Sequence, residues 1–159
     1  MKVSYNDSDQ DTCININEMQ RNYFEKCLHL AQKSNLTQKH GCVLVKNNKI
    51  ISCGYNFKIK NTVNSPFMTN SSSSSSDNGG GVFSVHAEIS TIKKVKKQDL
   101  SKCELYVIRI GPGSTTNKIG EPSEIDTSSF RFKYSCPCST CAKMIQTHRI
   151  KKVYYSINS

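Results

Sequence analysis

Apolar side chains recur at Met19, Tyr23, Phe24, Cys27, Leu30 and Ala31, the three-and-four spacing of a helix with one buried face. The spacing predicts a first helix over residues 19–34, with Asn17 as its N-cap. The period then changes. Cys42, Val43, Leu44 and Val45 form a short run rich in β-branched residues, and a second run fills residues 49–55. Asn47-Asn48 lies between them and tolerates the positive φ angles of a tight turn, so the two runs read as a hairpin.

Val85, Ile89, Ile92 and Val95 mark a second helix, for which Ser84 is the expected N-cap. Five of the six residues over 105–110 are apolar or aromatic, the pattern of a strand buried on both faces. Pro137 suits the first position of a third helix, whose face repeats at Cys138, Cys141, Ala142 and Ile145. Residues 153–157 form a last strand, whose alternation should turn one of Tyr154 and Tyr155 to the core and the other outwards. Helix, hairpin, helix, strand, helix, strand is the order of a sheet sandwiched by helices.

Polar stretches divide the rest. Residues 1–16 read as a loose N-terminal leader, and residues 17–159 as a single domain with irregular insertions at about 61–81 and 111–135. The first insertion holds six consecutive serines (Ser71 to Ser76) and three consecutive glycines (Gly79 to Gly81), the composition of an unpacked surface loop. The formal net charge of +10 favours anionic partners. Scattered lysines leave nucleic-acid binding open beside a plain solvated surface, and Lys93, Lys94, Lys96 and Lys97 fit such a surface. No apolar run approaches the ~20 residues of a membrane span, and the polar start lacks a signal peptide's apolar core. The expected setting is therefore intracellular, cytoplasmic or nuclear rather than secreted, with the eight cysteines reduced.

Two motifs carry the chemistry: His86-Ala87-Glu88 and Pro137-Cys138-Ser139-Thr140-Cys141. Each falls where a helix follows a loop. Cys138 and Cys141, three apart, lie on one helical face, so both sulfurs can reach one ion, and the helix N-terminus favours thiolate over thiol. With an imidazole from His86 they make three ligands, and a tetrahedral zinc so held keeps a fourth position for water. Glu88 stands near enough to accept a proton from that water. The rival is a closed structural site in which Cys136 supplies a fourth ligand. Cys136 precedes a proline, which biases it to extended backbone outside the helix, and a cage assigns no purpose to Glu88. Cys27, Cys42, Cys53 and Cys103 read as small core residues, and His29, His40 and His148 as solvated or core histidines.

The paired motifs, in that order and at two helix starts, resemble the zinc-dependent cytidine, deoxycytidylate and tRNA-adenosine deaminase superfamily. The resemblance covers about residues 23–156, including a hairpin that ends in Gly54-Tyr55-Asn56. It implies a three-layer α/β/α sandwich of the cytidine-deaminase type with a mixed central sheet. It also implies one Zn2+ per chain with a bound water or hydroxide, held by His86, Cys138 and Cys141. Glu88 is then the catalytic proton carrier, and Asn56 and Ala87 are substrate-binding positions. The implied reaction is hydrolytic removal of an exocyclic amine at C4 of cytosine or C6 of adenine. Assembly as a homo-oligomer is expected by the same resemblance.

Departures from the family narrow the substrate. Ser139 and Ala142 stand where free-cytidine deaminases carry Gly and Arg, and Cys136 precedes Pro137-Cys138 where the adenosine branch carries Glu. The first expectation is a cytosine nucleoside or nucleotide such as dCMP, and the alternative is adenosine in tRNA. A reading of another class is a non-catalytic, zinc-stabilised partner subunit that binds RNA.

Overall fold

The computed structural model describes residues 3–6, 12–13, 15–60, 82–95, 99–112 and 130–157. Twelve elements follow in chain order. They are β1 (Val3–Asn6), β2 (Thr12–Cys13), α1 (Glu18–Gln32), β3 (Lys39–Lys46), β4 (Lys49–Tyr55) and β5 (Phe57–Lys60), then β6 (Val82–Val85), α2 (Ala87–Ile92), β7 (Cys103–Pro112), β8 (Phe130–Lys133), α3 (Ser139–Thr147) and β9 (Lys152–Ser156). Local signals account for the first half. Asn17 accepts from the Gln20 N–H at 2.9 Å while Gln20 Oε1 accepts from the Asn17 N–H at 3.1 Å, a capping box that starts α1. Asn47 and Asn48, at φ 49° and 60°, turn β3 into β4.

Seven strands form the main sheet in the order β2-β1-β9-β7-β3-β4, with β8 also on β7. The β7/β9 pair is parallel and the others are antiparallel, so the sheet is mixed. Strand alternation divides the core into two layers. On one face Val43, Val45, Tyr106, Ile108 and Tyr154 pack against Tyr23, Phe24, Cys27 and Ala31 of α1. On the other, Cys42, Leu44, Leu105, Val107 and Tyr155 pack against Ala87 and Ile92 of α2 and Ile145 of α3. The result is the three-layer α/β/α sandwich. Each large apolar side chain fully buried in these layers contributes roughly 1.5–3 kcal/mol.

Two glycines let the helices approach. A Cβ on Gly41 would run into the Cys27 carbonyl of α1, and one on Gly54 would stand 2.7 Å from Thr91 Oγ1 of α2. The short α2 is also bonded to the sheet: Thr91 Oγ1 donates to the Cys42 carbonyl at 3.3 Å, and Ser52 Oγ donates to the Thr91 carbonyl at 2.7 Å. Where β8 and β9 diverge from β7, buried Ser135 and Ser156 hold the fork. The Ser156 N–H donates to Ser135 Oγ at 2.9 Å, and Ser135 Oγ donates to the Val107 carbonyl at 3.0 Å. The chain leaves this fork directly into Cys136-Pro137-Cys138.

Several expectations need correction. The first residues are not wholly a loose leader, because Val3–Asn6 runs antiparallel to β9 and covers its open edge. The stretch 111–135 is irregular only in part, since β7 extends to Pro112 and β8 returns along it; residues 113–129, like the serine-rich 61–81, lie outside the described residues. Tyr154 and Tyr155 are both buried, at 8% and 0% exposure, because helices cover both faces of the sheet. Ser84 is a residue of β6 rather than a cap, as Val82–Val85 stays paired with Phe57–Lys60 up to the start of α2. Pro137 precedes the cap of α3 instead of occupying its first turn.

Candidate metal centre

His86 and Cys138 are the N-caps of α2 and α3, and neither side chain makes a capping hydrogen bond. Extended backbone at both caps (ψ 152° and 168°) brings the two helix starts together above the same end of the sheet. Cys141 is in the first turn of α3, fully buried, on the face that meets α2. Cys138 Sγ lies 3.4 Å and Cys141 Sγ 3.3 Å from His86 Nδ1, and one ligand atom from each residue lies within 4.8 Å of the others. Tetrahedral zinc with Zn–S of about 2.3 Å and Zn–N of about 2.0–2.1 Å sets sulfur and nitrogen roughly 3.6 Å apart. The donor set and its spacing fit zinc. Cys136 is outside this group and packs against the Tyr155 layer of the core.

Glu88 sits in the first turn of α2 at 5% exposure. Burial pushes its carboxyl above the ordinary range, against the lowering pull of its own helix-start N–H, of His86 and of the Cys141 thiol. Burial also raises the Cys141 thiol, and the neighbouring Glu88 and Cys138 raise it further. A divalent cation reverses that balance, since it binds sulfur as thiolate.

His86, Glu88 and Cys138 form one end of a cavity of about 620 Å3. Its sheet wall is a cross-strand row. The Asn56 N–H donates to the His40 carbonyl at 3.2 Å, and His40 pairs with Arg109. Lys58 and Ser84 of the antiparallel β5/β6 pair also line the cavity, as do Tyr134 and Cys136. Asn56 is buried, at 7% exposure. Its Oδ1 accepts from the His40 N–H at 2.8 Å, and its Nδ2 donates to the Gln38 carbonyl at 2.6 Å. Asn56 therefore shapes the wall as well as lining it.

The model of the cytidine and deoxycytidylate deaminase zinc-binding region matches residues 17–157. The chain belongs to this deaminase family. Among solved structures it is similar to the dCMP deaminase of the cyanophage S-TIM5 in apo form. The two share 25% identity with a TM-score of 0.52, over 90% of this chain and 86% of that one. No curated protein sequence matches.

In this deaminase, five of the six site positions expected from sequence converge: His86, Glu88, Cys138 and Asn56 line the cavity, and Cys141 joins His86 and Cys138. Ala87 differs. It is fully buried, in the core cluster that also holds Cys42 and Ile92, and is not among the described residues lining the cavity. His40, Arg109, Lys58 and Tyr134 were missed by sequence reasoning. For two of them a signal existed, because His40 and Arg109 are polar residues at the inward slots that continue Cys42-Leu44 and Leu105-Val107. Burial and the nearby Arg109 charge lower the pKa of His40 to about 4, so its ring is neutral at pH 7.

Proposed function

We propose that the chain is a hydrolytic deaminase of cytosine in a nucleoside or nucleotide such as dCMP, with Glu88 as its proton carrier. The single observation that carries this reading is the buried Glu88 carboxyl beside a three-ligand His86-Cys138-Cys141 group at the end of a cavity. Zinc on those ligands supplies the Lewis acidity that makes water nucleophilic near neutral pH.

The protein's own groups do the rest. Glu88 takes one proton from the attacking water and gives it to the ring nitrogen next to the amine-bearing carbon. It then passes the second proton to the amine, which leaves as ammonia. A carboxyl held above its usual range by burial is suited to both steps, because it is neither too weak a base nor too weak an acid. Asn56 and the main chain of Ala87 hold the base, with the Asn56 amide already fixed by the His40 N–H and Gln38 carbonyl. Cys136 stays off the metal, and the chain from 17 to 159 acts as one domain that self-associates.

Seven cysteines among the described residues are free thiols, and no described helix is long and apolar enough to cross a membrane. The thiols support an intracellular setting.

Zinc-loaded protein incubated with dCMP, cytidine and a wobble-adenosine tRNA hairpin tests the reading. Release of ammonia and a uracil product is expected. Glu88→Gln should lower the rate by roughly 10²–10⁴ with zinc still bound. Turnover of the hairpin alone, or a Glu88→Gln variant as active as the parent, would refute it.

A further inference from the structure

We infer that Arg109 is a specificity-determining residue that reads a phosphomonoester on the substrate, so that the site takes a cytosine nucleotide over the free nucleoside. This rests on the deaminase reading above and narrows its substrate class.

The position of Arg109 is unusual for its strand. Leu105 and Val107 face the α2/α3 layer of the core, and Arg109 continues that face into the cavity. Its guanidinium is braced, not neutralised. Nε donates to Gln38 Oε1 at 2.8 Å, and Nη1 donates to the Tyr134 carbonyl at 3.5 Å. Both acceptors are uncharged, and no carboxylate among the described residues pairs with Arg109. A guanidinium keeps its charge at any working pH and has five N–H donors in a planar fork that fits phosphate oxygens. Two braces leave the remainder of the fork unspoken for.

Lys58, paired with Ser84 of β6, is a second cation on the cavity wall, and among the described residues Glu88 is the one carboxyl that lines it. Asn56, His40 and Arg109 are successive neighbours across adjacent strands, so the Arg109 backbone stands two strand spacings, or about 10 Å, from Asn56. A nucleotide held by its uncharged base near Asn56 carries a phosphate dianion at its other end, and that spacing sets the Arg109 fork to meet it. The cavity of about 620 Å3 lies within the roughly 300–1,000 Å3 of small-molecule sites. A free nucleoside would occupy the base position and leave the Arg109 guanidinium without an anionic partner, which is how a site built for a polar group rejects the analogue lacking it.

The test compares kcat/KM for dCMP and deoxycytidine in zinc-loaded parent, Arg109→Met and Arg109→Lys proteins. The parent should prefer dCMP by about 100-fold or more. Arg109→Met should reduce that preference by at least roughly 30-fold, mainly through KM for dCMP, with Arg109→Lys between the two. A parent preference near one, or a loss shared equally by both substrates, would overturn the inference, the latter making Arg109 only a brace for Gln38. Better turnover of cytosine in a short single-stranded oligodeoxynucleotide than of dCMP would overturn it too, as the ligand would then be a phosphodiester. Calorimetric binding of dCMP and deoxycytidine separates this inference from the deaminase reading. Should the parent turn over neither, tighter binding of dCMP that Arg109→Met abolishes upholds the anion site, and equal affinities overturn it.

Discussion

Gly54 and Thr91 meet where β4 passes under α2: a Cβ on Gly54 would stand 2.7 Å from Thr91 Oγ1 and 2.8 Å from Ser90 Oγ. Thr91 Oγ1 is already tied to the Ala87 carbonyl at 2.7 Å and the Cys42 carbonyl at 3.3 Å, so it has little room to yield. Gly54→Ala therefore lifts α2 from the sheet, and with it His86 and Glu88. Overpacking of this kind destabilises by about 1–3 kcal/mol, which denaturant unfolding would read directly. Activity should fall by more than the folded fraction, because the displacement lies at the helix that carries Glu88, the proposed proton carrier. Unchanged stability and activity would show that α2 adapts freely.

His40 gives a pH dependence of defined sign. Its pKa is lowered to about 4 by burial first and then by Arg109, against about 6.5 in an unfolded chain. Between those values the unfolded state binds the extra proton, so stability is full above about pH 6.5 and is lost as pH falls towards 4. Integration over that window gives roughly 2 kcal/mol of loss between pH 7 and pH 5. In the protonated ring Nδ1 carries a hydrogen, which sets a donor against the Asn56 Nδ2 donor 3.4 Å away. His40→Gln should flatten this part of the urea-unfolding profile, and a variant with the parent's slope from pH 7 to 5 would show that His40 is not its source.

Local chemistry made much of this fold readable from the chain. Asn17 with Gln20, the Asn47-Asn48 turn and the apolar spacing of α1 each specify geometry within a few residues, and all three are present. The grouping of His86, Cys138 and Cys141 was readable for the same reason, as Cys138 and Cys141 share a helical turn and His86 opens its own motif. What escaped depends on pairing between distant segments. Nothing within Val3–Asn6 encodes that its partner is β9, and nothing within Phe130–Lys133 encodes its return along β7. Arg109 escaped because its meaning comes from His40 and Asn56 on neighbouring strands. Ser84 has the residue type of a cap, but the β5–β6 ladder holds it as strand.

The three adjacent cysteines should separate by metal content. Cys138 and Cys141 lie 3.4 and 3.3 Å from His86 Nδ1, whereas Cys136 packs against the core outside that group. Cys138→Ser and Cys141→Ser are expected to lower zinc affinity by at least roughly 10-fold, since a poor ligand replaces a thiolate. Cys136→Ser should retain one zinc per chain by elemental analysis. Sulfur ligation counted by X-ray absorption should be two per zinc in the parent. A count of three, with zinc lost from Cys136→Ser, would establish the closed cage instead.

Removal of zinc should silence the protein without unfolding it. The two core layers are built from the sheet and the apolar faces of all three helices, and the candidate metal-binding residues lie at the starts of α2 and α3, His86 and Cys138 as caps and Cys141 in the first turn. This differs from a zinc finger, whose core is too small to persist without its ion. Zinc that binds only the native state at about 100 times its Kd adds roughly 2.7 kcal/mol. For a chain of this size each kcal/mol moves Tm by about 2–4 °C. Chelation is thus expected to lower Tm by roughly 5–10 °C, to abolish deamination, and to leave far-UV and near-UV circular dichroism close to those of the loaded protein. Zinc added back should restore both Tm and activity. Loss of the near-UV signal on chelation would mean instead that the cap-to-cap contact between α2 and α3 cannot form from packing alone, and that the ion is as much a part of the fold as of the chemistry.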